Sequence, residues 1–142
     1  MSFEITFAEN PTVEELGVLE TGLDRFTEEM VGDRKTTPLT YFLRSETGDI
    51  VGGVHGNYGT FGWLYVSMLW VAESLRGEGY GAALMLKIEE EAKNNGCENS
   101  YLDTFSYQAP GFYKKLGYVV FGDLKDFPTG HSRIFLRKRL VK

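Results

Sequence analysis

Leu69-Trp70-Val71-Ala72-Glu73-Ser74-Leu75-Arg76-Gly77-Glu78-Gly79-Tyr80-Gly81-Ala82 is the stretch on which the reading of this chain turns. A charge-free, β-rich run from Phe61 to Val71 (FGWLYVSMLWV) leads into it. A turn follows, three alternating glycines come next, and a helical pattern then begins. Glycine lacks a Cβ, so backbone N–H groups can converge on one concavity. A helix N-terminus adds unpaired donors and a positive dipole end, which suits a phosphate or pyrophosphate. Arg76 supplies a fixed cation beside it. The same residues also fit a plain glycine-rich turn joining strand to helix.

Downstream, Ala82 to Asn94 reads as a helix with the stripe Leu84, Ile88, Ala92, widened by Met85, and with Glu89 and Lys93 as a surface pair. Gly96 ends it as a left-handed cap residue. Tyr101 to Phe105 reads as a strand, and Ala109 to Leu116 as a short helix with Pro110 in its first turn and Gly117 as its stop. Tyr118 to Gly122 and Ser132 to Leu140 are two further strands. Upstream, Leu39 to Arg44 and Ile50 to Asn57 flank the hairpin signal Glu46-Thr47-Gly48-Asp49. Phe3, Ile5 and Phe7 alternate within Ser2 to Ala8, which predicts a half-buried strand. Asn10 with Pro11, or Thr12 with Glu15, caps a helix whose apolar face is Leu16, Leu19, Leu23, Phe26 and Met30. Gly17 and Gly22 weaken that helix and predict a break or bend near Gly22. The resulting order is β-α-β-β-β-α-β-α-β-β, an α/β chain with a mixed sheet, antiparallel entry and a central βαβ unit.

Composition narrows the function. The chain has 142 residues, which predicts one domain over 1–142, and 17 glycines without a collagen period. Its 20 acidic against 15 basic residues give a net charge of −5, which argues against broad nucleic-acid binding. One cysteine (Cys97) and two histidines (His55, His131) assemble neither an internal disulfide nor a structural zinc site. No apolar run is long enough to span a bilayer, and the N-terminus lacks a basic start and apolar stretch, so a cytoplasmic protein is expected. Gly77-x-Gly79-x-x-Ala82 satisfies a relaxed dinucleotide fingerprint, with Asp103 downstream for a ribose. Five residues separate Val71 from Gly77, however, where that fingerprint starts at the strand end, and too little chain follows for a doubly wound sheet.

Arg76-x-x-Gly79-x-Gly81 resembles the acetyl-CoA signature of the GNAT N-acetyltransferases. Ala109-Pro110-Gly111-Phe112-Tyr113-Lys114-Lys115-Leu116-Gly117-Tyr118 resembles that family's second signature, a short helix bearing a tyrosine and followed by Leu-Gly-aromatic. The two signatures stand in the family's order, with a helix and a strand between them. The resemblance implies a central mixed, mostly antiparallel, splayed sheet of about six or seven strands flanked by about four helices. It implies acetyl-CoA as co-substrate, no metal, and backbone bonds from Leu69, Trp70 and Val71 to the pantetheine arm. Gly77, Glu78, Gly79, Tyr80, Gly81 and Ala82 would present amides to the pyrophosphate, with Arg76 beside them. Ser106 and Gln108 stand near the place where many members carry a pantetheine-binding asparagine. Tyr113 would act as the general acid, giving a proton or a hydrogen bond to the departing thiolate.

Attack needs a neutral amine and therefore a base. His131, in the loop Phe127-Pro128-Thr129-Gly130-His131, has the right intrinsic pKa; Glu73 and Asp103 are alternatives. Cys97 has no basic neighbour in sequence and reads as a core residue, so direct transfer is expected over a covalent route. Phe26 and Glu29, at the end of the first helix, and Tyr65, on the strand before the glycines, are candidate acceptor contacts suited to a cationic amine. The expected function is acetyl transfer to a small-molecule or peptide amine, with no nucleic-acid or membrane partner. A homodimer through sheet edges or exposed aromatics is compatible with it. A non-catalytic acyl-CoA-binding sensor of the same fold is the alternative.

Overall fold

The computed structural model of the chain describes residues 2–142. The chain divides into two compact units, the first ending at Arg34 and the second running Lys35–Lys142.

In the first unit, Thr12 caps helix α1 (Val13–Val31) through a reciprocal box. Glu15 N–H donates to Thr12 Oγ1 at 3.0 Å, and Thr12 N–H donates to Glu15 Oε1 at 2.9 Å. Of the two expected caps, the sequence uses the second. No break occurs near Gly22: α1 is continuous through it. Glycine lowers helix propensity, but unlike proline it removes no backbone hydrogen bond. The strand expected over Ser2 to Ala8 is absent, and Phe3, Ile5 and Phe7 are exposed. Alternation creates a face, yet a strand exists only against a neighbour, and this unit offers none among the described residues.

The second unit is a six-stranded sheet among the described residues, in the order β1-β2-β3-β4-β6-β5. The strands are β1 (Thr36–Arg44), β2 (Ile50–Gly59), β3 (Trp63–Val71), β4 (Asn99–Phe105), β5 (Val119–Lys125) and β6 (Ser132–Arg139). All neighbours are antiparallel except β3 and β4, whose parallel pairing is closed by the crossover helix α2 (Tyr80–Asn94). The α3 helix (Pro110–Lys115) joins β4 to β5. The helix count is three among the described residues, one below the expectation; the mixed, mostly antiparallel class is as expected. A 3₁₀ turn, Glu73–Leu75, fills part of the link between β3 and α2.

One feature of the sheet positions everything that follows. The β3–β4 ladder joins Trp63–Val66 to Asn99–Leu102 and stops there. β3 runs on to Val71 and β4 to Phe105, so the sheet opens at its centre. On one face lies the core: Leu84, Met85, Ile88 and Ala92 of α2 pack with Val54, Leu64, Val66, Leu102, Tyr118 and Leu136. The stripe read from sequence is thus the buried one. Glu89 is not the surface partner of Lys93. It is buried, and Lys138 Nζ donates to its Oε1 at 2.7 Å, while Lys93 pairs weakly with Glu90. Glu89 lies one turn beyond Met85, on the flank of the buried stripe, so β6 reaches it first.

The glycine-rich β2 also finds its reason here. The ladder bulges between His55 and Gly56, and a Cβ at Gly56 would run into the Tyr65 carbonyl of β3. Close backbone approach excludes a side chain at that bulge.

Candidate active site

The glycine loop is shaped from both ends. Arg76 Nε donates to the Val71 carbonyl at 2.9 Å, which ties the loop back onto the end of β3. Gly77 and Gly79 adopt φ of +80° and +88°, and Gly79 is the N-cap of α2 without a side-chain cap. Only glycine holds that left-handed backbone without strain, and a Cβ at either position would meet open space rather than protein. The first helical bond is Ala83 N–H to Gly79 C=O at 3.0 Å, so the amides of Tyr80, Gly81 and Ala82 precede it. The first turn of α2 carries no acidic residue. A bare, positive helix end beneath an uncrowded glycine turn fits an anionic diphosphate. Gly81 differs from its neighbours: a Cβ there would lie 3.2 Å from the Phe112 ring, so its smallness serves the packing of α3. Glu78 and Tyr80 are exposed on the same loop. Leu69, Trp70 and Val71 lie on the part of β3 beyond its last residue paired with β4, Val66.

Tyr113 sits half-buried on α3, its ring edge-on to Phe112 at 5.1 Å and to Tyr118 at 6.1 Å. Its phenol bonds to no group among the described residues, and burial raises its pKa. The helix is fixed from behind. Tyr118 N–H donates to the Tyr113 carbonyl at 3.0 Å, and Gly117 N–H to that of Lys114 at 3.0 Å. Tyr118 itself is held in the core, where its hydroxyl donates to Glu89 Oε2 at 2.8 Å and lies 2.9 Å from Ser100 Oγ. Desolvation first, and the Glu89 carboxylate second, push the Tyr118 phenol far up.

Ser106 and Gln108 take part in local structure. Ser106 Oγ accepts from Ser132 N–H at 2.9 Å, and Gln108 Oε1 accepts from Thr104 Oγ1 and Phe105 N–H, both at 2.9 Å. His131 is exposed in the turn before β6, its ring edge-on to Tyr107 at 5.2 Å. Glu73 is exposed on the 3₁₀ turn. Cys97 is buried, and burial alone raises its thiol, which disfavours a nucleophilic thiolate. His55 lies within β2, bonded through Nδ1 to Thr40 Oγ1 at 2.7 Å. Phe26 and Glu29 lie exposed on α1 in the first unit.

Tyr65, in the paired part of β3, meets Asp103, the first residue of β4 past the end of that ladder. Tyr65 Oη donates to Asp103 Oδ1 at 3.1 Å, and Arg133 Nε donates to Asp103 Oδ2 at 2.8 Å. The Arg133 guanidinium lies 5.3–5.8 Å from the ring centroids of Phe105, Phe127 and Phe135. Sequence reasoning missed Arg133. The signal was the alternation of Leu102 and Leu136 with Asp103, Phe105, Arg133 and Phe135, which sets rings and charges on the face opposite the core. Among the described residues, no cluster of three or more His, Cys, Asp or Glu could hold a metal ion, and no helix is long and apolar enough to cross a membrane.

Residues 7–118 match the family model for the acetyltransferase (GNAT) family. The chain is 38% identical over 96 residues to a blasticidin-S acetyltransferase of Streptomyces morookaense, covering 67% of this chain and 70% of that protein. A crystal structure of an acetyltransferase from Bacillus cereus is similar at a TM-score of 0.86 and 38% identity, over 94% of this chain and 97% of the other. An aminoglycoside 6′-N-acetyltransferase crystallised with coenzyme A shares the fold at a TM-score of 0.66 and 19% identity, over 74% of each chain. On the family-model match over residues 7–118 and the 38% identity to the blasticidin-S acetyltransferase over 67% of this chain, the chain belongs to the GNAT acetyltransferase family.

Proposed function

We propose that this protein transfers the acetyl group of acetyl-CoA directly to the amine of a small molecule or peptide. The observation that carries the reading is the turn at Gly77 and Gly79, with left-handed backbone and open space, beneath an α2 N-terminus without a side-chain cap. Backbone amides from Gly77 to Ala82 would hold the pyrophosphate, and the free stretch of β3 at Leu69 to Val71 would hold the pantetheine arm. Arg76 would act chiefly by fixing the loop, since its Nε is spent on the Val71 carbonyl. Ser106 and Gln108 would border the arm, with their oxygens already bonded within the protein.

Acetyl-CoA supplies an activated thioester: the amine nitrogen bonds to the acetyl carbon, the C–S bond breaks, and the sulfur leaves with the electron pair. Tyr113 stands ready on the core side of the sheet as a protonated donor. Because burial raises its phenol above the ordinary value near 10 while a thiol lies near 8.5, a hydrogen bond to the departing sulfur is favoured over complete proton transfer. His131 takes the amine proton in this reading. It stands next to Ser132, whose N–H bonds to Ser106 at the end of β4. Both Asp103 oxygens are already bonded, Oδ1 by the Tyr65 hydroxyl and Oδ2 by Arg133 Nε.

Calorimetric titration of acetyl-CoA tests the cradle. Wild type is expected to bind, and Gly79→Val to lose at least about a hundredfold in affinity, since a β-branched residue resists φ near +88° and its side chain fills the cradle. Retained affinity in a folded Gly79→Val would return the loop to a purely connecting role.

A further inference from the structure

Arg133 is held unlike Arg44, Arg76 and Arg139. Arg76 and Arg44 donate to backbone carbonyls, and Arg139 faces Glu98 on the surface. Arg133 instead has its Nε fixed by Asp103 at 2.8 Å, and Asp103 is in turn fixed by the Tyr65 hydroxyl. Three rings, Phe105, Phe127 and Phe135, surround the guanidinium. Its two Nη groups bond to nothing among the described residues. An arginine of known orientation with the end of its fork free is a preorganised receptor for a planar anion, because little side-chain entropy remains to be lost.

Its place matters as much as its orientation. Arg133 pairs in register with Phe105, the last residue of β4, and Asp103 directly follows Leu102, where the β3–β4 ladder ends. The guanidinium therefore stands at the opening of the sheet, on the face opposite the core that holds Tyr118 and backs Tyr113. His131 lies two residues away along the chain.

We infer that Arg133 anchors a carboxylate of the acceptor, so that the amine acetylated here belongs to a molecule that also carries an acid group. The inference rests on the acetyltransferase reading and adds a substrate class to it. A carboxylate matches the free end of the fork, where two parallel N–H···O bonds form. A dianionic phosphate fits less well, because Asp103 already shares the Arg133 charge. The flanking rings suit an acceptor with an apolar or aromatic body between its amine and its acid.

The test is calorimetry on the 142-residue chain saturated with coenzyme A, with 4-(aminomethyl)benzoate as probe and 4-(aminomethyl)benzamide as its uncharged match. The acid is expected to bind at least about tenfold more tightly than the amide, and Arg133→Met to bring that ratio to about one. Arg137→Met, on the same strand, should leave the ratio unchanged. If Arg133→Met does not fold, Arg133→Lys keeps the charge but loses the fork, and the ratio should still fall at least about threefold. Undetectable binding of the acid, equal affinity for both probes in wild type, or a preference undiminished in Arg133→Met or Arg133→Lys overturns the assignment. The two readings fail separately. If wild type does not bind coenzyme A, or releases no thiol from acetyl-CoA with any amine, the acetyltransferase reading fails. If it does both and ignores the difference between acid and amide, the Arg133 assignment alone fails.

Discussion

Tyr113 and Tyr118 are two phenols in one packed cluster with opposite fates. The Tyr118 hydroxyl is consumed by Glu89 and Ser100, and that of Tyr113 is left without a partner among the described residues. Tyr113→Phe should lower the maximal rate about a hundredfold while acetyl-CoA affinity stays within about twofold, because in the proposed reaction the lost group would act on the departing sulfur alone. Full turnover with a good acceptor would remove Tyr113 from the chemistry. Tyr118 is a matter of stability. Its phenol is raised in the folded state, chiefly by desolvation, above the value near 10 of the unfolded chain. Above that pH the unfolded chain gives up the proton and the native one retains it. The stabilisation is therefore complete below about pH 10 and lost as the pH climbs further. Urea midpoints between pH 8 and 11 should fall more steeply in wild type than in Tyr118→Phe. The substitution itself should cost about 1–2 kcal/mol at neutral pH, since Glu89 loses a buried donor.

Strand β2 and helix α1 both contain glycines, and they respond to the same substitution with opposite signs. At Gly56 a methyl group collides with the Tyr65 carbonyl at the bulge, so Gly56→Ala should destabilise by about 3 kcal/mol. At Gly17 the added methyl meets open space within a helix, so Gly17→Ala should stabilise α1 by about 0.5–1 kcal/mol. Thermal melts of the two variants check the pair. Sequence alone does not separate them, because close approach is a property of the neighbouring strand. The same reason explains which elements were legible. The stripe of α2 and the stops at Gly96 and Gly117 are local patterns, and they stand where the sequence puts them. The pairing of Glu89 with Lys138 spans 49 positions, and the alternation of Ser2 to Ala8 lacks a partner strand; neither fact is local.

The candidate site as a whole is assembled where the sheet stops pairing with itself. The glycine loop and Tyr113 were readable because each sits in a contiguous motif. The Tyr65–Asp103–Arg133 chain was not, because it joins three strands that meet only in the folded sheet. The proposed reaction would use these parts together: a diphosphate-bearing thioester at the α2 N-terminus, its sulfur met by Tyr113, and an amine presented near His131 and Arg133. The direct measurement is free-thiol release from acetyl-CoA over a panel of primary amines, with mass spectrometry of the acceptor. Direct acetyl transfer should give thiol release that requires an amine and leaves one acetyl group on its nitrogen. Tight binding of acetyl-CoA with no thiol released from any amine would contradict it, and would make the protein a sensor of acyl-CoA instead of an enzyme.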